Sequence, residues 1–274
     1  MIFSEMFAFG FMQRALIVGI LIGLLASFLS LFIILKRMSF IGTGLAHSAF
    51  GGVAIGVLTG LNPVLTAGAF ALAVAAGIGI IARKGRLSED VAIGILFSAS
   101  MALGIALIGL STVYNVNLFG YLFGSLLAVT WTDIWIVTGV GLTIAVLLVL
   151  FFNRFLFISF DEEIAQASGL SVTTLYYLLL MLIAVTIVIS FKVVGILLIS
   201  ALLVIPGATG YRLAKNYRGV LAISLLVGII SVIGGLSVSF VYDIAPGAAI
   251  ILCATVLFGL SFLIRRVRVR RRTR

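Results

Sequence analysis

Residues 134–189 read IWIVTGVGLTIAVLLVLFFNRFLFISFDEEIAQASGLSVTTLYYLLLMLIAVTIVI, and this stretch decides the fold. An apolar run from Ile134 to Phe152 leads to an acidic patch, Phe160-Asp161-Glu162-Glu163-Ile164-Ala165-Gln166-Ala167-Ser168-Gly169-Leu170. A second apolar run follows from Thr174 to Ile189. A helix that crosses a bilayer needs roughly 17–25 residues, close to the length of each run. The runs are continuous rather than alternating, so they read as helices and not as barrel strands. The patch between them must meet water. A short amphipathic helix held between two spans is a handle by which a soluble motor moves the spans.

Working outward, the rest of the chain is of the same kind. Its 274 residues are 63% hydrophobic and only 9% charged, with a mean hydropathy of +1.37. A soluble domain carries about 25% charged residues, enough to cover a wetted surface; this chain lacks them. The apolar segments run roughly Ala15–Leu35, Gly44–Leu61, Pro63–Ala82, Val91–Leu110, Ile134–Phe152, Thr174–Ile189, Val193–Gly210, Val220–Val241 and Gly247–Ile264. The predicted fold is an all-α, polytopic transmembrane helical bundle of about nine spans in a lipid bilayer. The shortest segment, Gly44–Leu61, and the pair around Lys192 have the look of broken or re-entrant helices. No linker or repeat divides the chain. Residues 1–264 read as one transmembrane domain and residues 265–274 as a basic tail.

The net charge of +10 is no sign of nucleic-acid binding. Lys36-Arg37, Arg83-Lys84-Arg86, Arg154, Arg212-Lys215-Arg218 and the arginines from Arg265 to Arg272 all sit between or after apolar runs. One assumption, a first span running from outside to inside, puts all of them in the cytoplasm; Arg14 and Lys192 are the exceptions. The N-terminus is then outside, and the C-terminus and the acidic patch are inside, in a cell or plasma membrane. The tail anchors against anionic lipid. Cys253 is alone in an apolar run and forms no internal disulfide. No cleavable signal peptide is evident before the first span.

Few residues carry chemistry. His47 is the only histidine and lies near the start of an apolar segment. An ionisable group inside a membrane is costly and marks a pathway by default, and neutral imidazole is a good ligand for zinc and similar ions. One histidine is not a complete site, since protein zinc sites use three or four ligands, and a hydrogen-bonded packing role is the alternative. Asp133 and Asp243 fall on the external side. They are placed to receive a cation or hold a partner, or else serve ordinary turns and loops. Glu89-Asp90 reads as a helix start. Asp161 and Glu163 suit helix capping as well as partner contact. Gly44, Ser48, Gly52 and Gly56 recur every four residues, as do Ala67, Ala71, Ala75 and Gly79, so two helices carry ridges of small residues for close packing. Residues 118–128, LFGYLFGSLLA, are too short to cross twice and too apolar for a solvated loop, and read as an external interfacial lid.

Absent motifs narrow the classes. There is no phosphate loop, no Gly-x-Ser-x-Gly elbow and no His-Glu-x-x-His. No acid lies mid-span, which disfavours a carrier coupled through buried carboxylates. His47 and Ser48 are adjacent and do not face each other on a helix, which disfavours a membrane hydrolase. A channel or secondary carrier is the remaining rival.

Several segments together resemble the membrane permeases of zinc and manganese ABC importers. They are Lys36-Arg37-Met38-Ser39-Phe40 with Leu45-Ala46-His47-Ser48-Ala49, Asn62-Pro63, Tyr121–Val129, Phe191–Gly195, Ala201–Thr209, Gly234-Gly235-Leu236-Ser237 and Tyr242-Asp243. The likeness covers nearly the whole chain and is closest to zinc-uptake permeases. It implies a type II ABC importer-like fold and a homodimer with the pathway on its axis. Two separate ATPase subunits would dock below and an extracytoplasmic metal-binding protein above. ATP would be used by the partner, with no cofactor bound by this chain. In that setting Asp161, Glu162, Glu163, Ala165, Gln166 and Gly169 belong to the coupling helix that enters the ATPase cleft. Members of this family often carry an Asp after a Gly shortly before the histidine; here the pair is Gly42-Thr43, so the resemblance supplies no acidic partner for His47. Zinc is expected ahead of manganese or iron, because carboxylate-rich sites suit manganese and the spans hold none.

Overall fold

The computed structural model describes residues 8–110 and 129–270, and every element among them is a helix. The expected lid at residues 118–128 lies outside the described residues.

Among the described residues, nine helical spans are long and apolar enough to cross a bilayer. In chain order the elements are α1 (Gly10–Leu35), α2 (Ile41–Thr59), α3 (Pro63–Gly85), α4 (Glu89–Leu110), α5 (Trp131–Leu150), α6 (Phe152–Phe160), α7 (Glu162–Ala167), α8 (Val172–Val194), α9 (Ile196–Leu202), α10 (Ile205–Leu213), α11 (Tyr217–Tyr242) and α12 (Pro246–Arg270). The short α9 and α10 together make the seventh span. The last helix continues past the expected end of the span at Ile264, into the basic segment, as far as Arg270.

Local signals set the ends. Asn62 caps α3 by accepting from the Val64 and Leu65 amides, with Pro63 at the first turn where its missing N–H costs nothing. Asn216 caps α11 through the Gly219 amide at 2.8 Å. Between α8 and α9 a single residue, Gly195, reverses the chain with φ 83° and ψ 162°, a conformation open only to glycine.

The spans are apolar on every side, so hydrophobicity cannot orient them; small residues do. The predicted ridge of α2 lies against α3 and α4. A Cβ at Gly52 would stand 2.6 Å from Ala67 Cα, and one at Gly44 would stand 2.3 Å from an Ile93 methyl. Such approach lets backbones touch, the main source of helix association in lipid. α1 is the hub, packed on α5, α8, α10 and α11.

The broken span is the seventh, and α8 crosses intact. The break at Leu203-Val204 precedes Pro206. Ser30 of α1 is fully buried and stitches the break: its Oγ accepts from the Gly207 amide at 2.8 Å and donates to the Val204 carbonyl at 3.4 Å. Irregular backbone at membrane depth survives only where other groups satisfy it in this way.

Candidate functional site

Helix α7 is built by its own ends. The Asp161 carboxylate accepts from the Ile164 amide at 2.9 Å, the usual N-cap bond. At the other end Gly169 takes φ +82°, and the Leu170 amide donates back to the Ala165 carbonyl at 3.2 Å. That closes the helix in the left-handed turn that glycine favours. Ala165 is fully buried and seats the helix on the bundle. Glu163, Ile164 and Gln166 are exposed.

Glu162 turns the other way. Its carboxylate pairs with Lys36 just past the end of α1, and with Arg83 in the last turn of α3 at 3.0 Å. Arg83 also donates to Thr173 Oγ1 at the start of α8, at 3.2 Å. Both cations sit over the buried Tyr176 ring, Lys36 Nζ at 5.1 Å and Arg83 Cζ at 4.4 Å from its centre. The Lys36 side chain is only 5% exposed. One six-residue helix is thereby tied to the ends of three spans. Sequence reading assigned Lys36 and Arg83 to topology and Glu162 to a partner. It missed the joint because pairing between residues 79 and 126 positions apart leaves no local pattern.

A cleft of about 570 Å³ opens at the same end, lined by Phe160, Arg212, Lys215 and Tyr217 among others. It lies between the residue before Asp161 and the α10–α11 turn.

His47 occupies a second region. It is half-buried, on the α2 face that also carries Thr43 and Phe50. Its Nδ1 lies 3.0 Å from the Thr43 carbonyl; the natural assignment is Nδ1–H donating to that oxygen, which leaves Nε2 as the free lone pair. The imidazole meets Phe97 of α4 edge to face at 5.6 Å. Thr43 and Phe97 also line a groove of about 390 Å³ with Phe40, Gly44, Asp90, Ile93 and Gly94. The residues that form this groove come from α2 and α4 and the approach to α2.

The two other candidate ligands stand elsewhere. Asp133 is 8% exposed and engaged in a capping box, where it accepts from Thr130 N at 3.1 Å and Thr130 Oγ1 at 2.7 Å. Asp243 ends α11 in the left-handed region at φ 52° and is exposed. Both are at helix ends opposite Lys36 and Glu162. Among the described residues no three His, Cys, Asp or Glu side chains gather to hold a metal ion. The structure therefore does not join His47, Asp133 and Asp243 into one site.

Comparison with known proteins fits this architecture. The profile of the ABC 3 transport family matches residues 8–265. The manganese transport system membrane protein MntC of Halalkalibacterium halodurans is 38% identical over 95% of this chain and 89% of its own length. The high-affinity zinc uptake system membrane protein ZnuB of Haemophilus influenzae is 34% identical over 92% of this chain and 96% of its own. The solved structure of PsaBC from Streptococcus pneumoniae in complex with Fab superposes with a TM-score of 0.81 at 37% identity, covering 95% of this chain and 94% of that one. Relatives named for each metal match at similar identity, so the expectation of zinc ahead of manganese is not favoured. This polytopic helical protein belongs to the ABC 3 transport family, the group of membrane permeases that holds its manganese- and zinc-named relatives.

Proposed function

We propose that this chain is the permease subunit of an ATP-driven importer of divalent transition-metal ions, with manganese the first substrate to test. The observation that carries the reading is α7: an acidic helix outside the spans, bonded through Glu162 to α1 and α3 and through Arg83 to α8. A partner that moves α7 moves three spans at once. The partner is a separate ATPase subunit, which contacts Glu163, Ile164 and Gln166 on the free face of the helix and reaches the neighbouring cleft at Arg212 and Lys215. The end of the bundle that carries Lys36, Arg83 and Glu162 is cytoplasmic, by the excess of Lys and Arg there. The N-terminus is then outside and the C-terminus inside, and a metal-loaded binding protein docks on the outer end.

The working unit is a homodimer. His47 lies on a half-buried face, and α4 beside it exposes Gly94, Ser98 and Ala102 one turn apart. Small residues on an outward face allow a second copy to approach closely. Two copies bring two imidazoles to one axis. A pathway needs only weak, few-ligand binding, since tight binding stops release. Zinc is the second reading, favoured by imidazole as the pathway ligand and by Thr43 where a nearby acid would suit manganese.

The test is metal uptake into vesicles that hold this permease with its ATPase and binding protein, with Mn²⁺ and Zn²⁺ offered separately, with and without ATP. ATP-dependent uptake is expected. Uptake that ignores ATP would instead make the protein a channel or carrier.

A further inference from the structure

We propose that the Tyr176 ring is the positioning group of the α7 joint: its face keeps Lys36 and Arg83 together within reach of the one carboxylate of Glu162, so that a movement of α7 reaches α1 and α3 at once. The inference rests on the importer reading.

Lys36 and Arg83 come from different spans, just past the end of α1 and in the last turn of α3. Each donates to a different oxygen of Glu162. Two cations that share one carboxylate repel each other. In open water they would part, but here the Lys36 side chain is almost wholly buried and that of Arg83 is mostly covered. A cation taken out of water needs more compensation than a single hydrogen bond supplies. Helix α8 provides it. Lys36 Nζ stands 5.1 Å and Arg83 Cζ 4.4 Å from the centre of the Tyr176 ring. Both lie inside the roughly 6 Å at which the negative face of an aromatic ring attracts a cation. Arg83 Nε is shielded from water without an acceptor, which leaves more for the ring to offset. Thr173, three residues before Tyr176 and on the same side of α8, accepts from Arg83 at 3.2 Å. α8 thus holds Arg83 by a hydroxyl and a ring one turn apart.

Packing fixes the ring in place. Tyr176 is fully buried and meets the Tyr177 ring edge to face at 5.9 Å. Its own hydroxyl is buried and has no hydrogen-bond partner. A tyrosine whose hydroxyl bonds nothing serves through its ring, and this separates two roles that are usually mixed. Phenylalanine would keep the ring face and shed an unsatisfied polar atom, whereas leucine would keep apolar bulk and lose the face. Without the face, one of the two cations leaves Glu162, and α7 then pulls on α1 or on α3 but not on both.

The experiment reads metal ions taken up per ATP hydrolysed, with Mn²⁺ and Zn²⁺ offered separately to vesicles that hold the permease, its ATPase and its binding protein. Tyr176→Phe is expected to match wild type, and Tyr176→Leu to fall about fivefold while the ATPase still co-purifies. Should Tyr176→Leu fail to fold, phenylalanines with one, two and three ring fluorines at position 176 take its place, because fluorine drains the negative face with little change of shape. A stepwise fall in ions per ATP along that series, to about threefold, is expected; packing alone does not respond to ring charge. A flat series, or wild-type ions per ATP in Tyr176→Leu, overturns the positioning role and leaves the importer reading standing. Wild-type vesicles that take up neither metal under ATP overturn the importer reading, and the positioning role falls with it.

Discussion

The joint at Glu162 and the region of His47 lie in the same bundle and differ in how densely polar groups meet. At the joint, two cations, a carboxylate, a hydroxyl and an aromatic face meet within hydrogen-bond or cation–π distance. Around His47, the imidazole spends a single nitrogen on the Thr43 carbonyl and meets the Phe97 ring, and in the groove beside it one oxygen of Asp90 has no partner. The joint is dense in polar contacts, yet Arg83 Nε and the Tyr176 hydroxyl find no partner even there. The region around His47 holds few polar groups of any kind. A polar group in a membrane protein is therefore best judged by what it lacks as well as by its presence.

The largest effect is expected from breaking the joint. Glu162→Lys places three cations together and leaves the buried Lys36 unpaired. A truncated buried pair costs 3–5 kcal/mol; with Glu162 partly exposed, about 2–3 kcal/mol is expected, read as a lower thermal midpoint in detergent together with lost uptake. His47→Ala probes the other region. Metal uptake is expected to fall about tenfold, equivalent to about 1.4 kcal/mol, while the melting temperature stays close to wild type. A sharp fall in melting with normal transport by the surviving protein would make His47 a packing residue and blur the contrast. Glu163→Lys separates the two faces of α7. With Glu163 exposed and outside the joint, stability should hold while ATPase binding weakens about fivefold, equivalent to about 1 kcal/mol and measurable by co-purification and titration. The smallest effect is expected of Thr173→Ala, which removes one exposed hydrogen bond of Arg83, at about 0.5 kcal/mol by thermal melt.

Much of the fold was legible from hydropathy. All nine apolar segments are helices in the structure, with ends displaced by a few residues. The small-residue ridge from Gly44 to Gly56 does lie at a close helix contact. Broken helices were expected at the short second span and in the pair of spans around Lys192; one of that pair, the span that holds Pro206, is broken, while the second span and α8 are continuous. The chain needs no break at Lys192, because Gly195 makes the reversal in one residue. The break at Leu203-Val204 persists because Ser30, 177 positions away from Gly207, satisfies the freed amide. The site was less legible. The acidic patch stood out, yet Glu162 and Glu163 looked alike in the chain and face opposite ways in space. Glu89 and Asp90 read as a helix start, and both do stand in the first turn of α4.

What the sequence by itself determined is a bundle of about nine apolar helical segments and the acidic helix between the fifth and sixth of them. The physical reason is that lipid demands a fixed length of apolar helix and leaves charge only at its ends. What only the tertiary structure decided is which polar groups meet. A span that is apolar on every side carries no inscribed face, so its rotation and neighbours follow from where backbones can approach. That packing turns Glu162 towards Lys36 and Arg83, sets His47 beside Phe97, and leaves Asp90 Oδ1 without a partner.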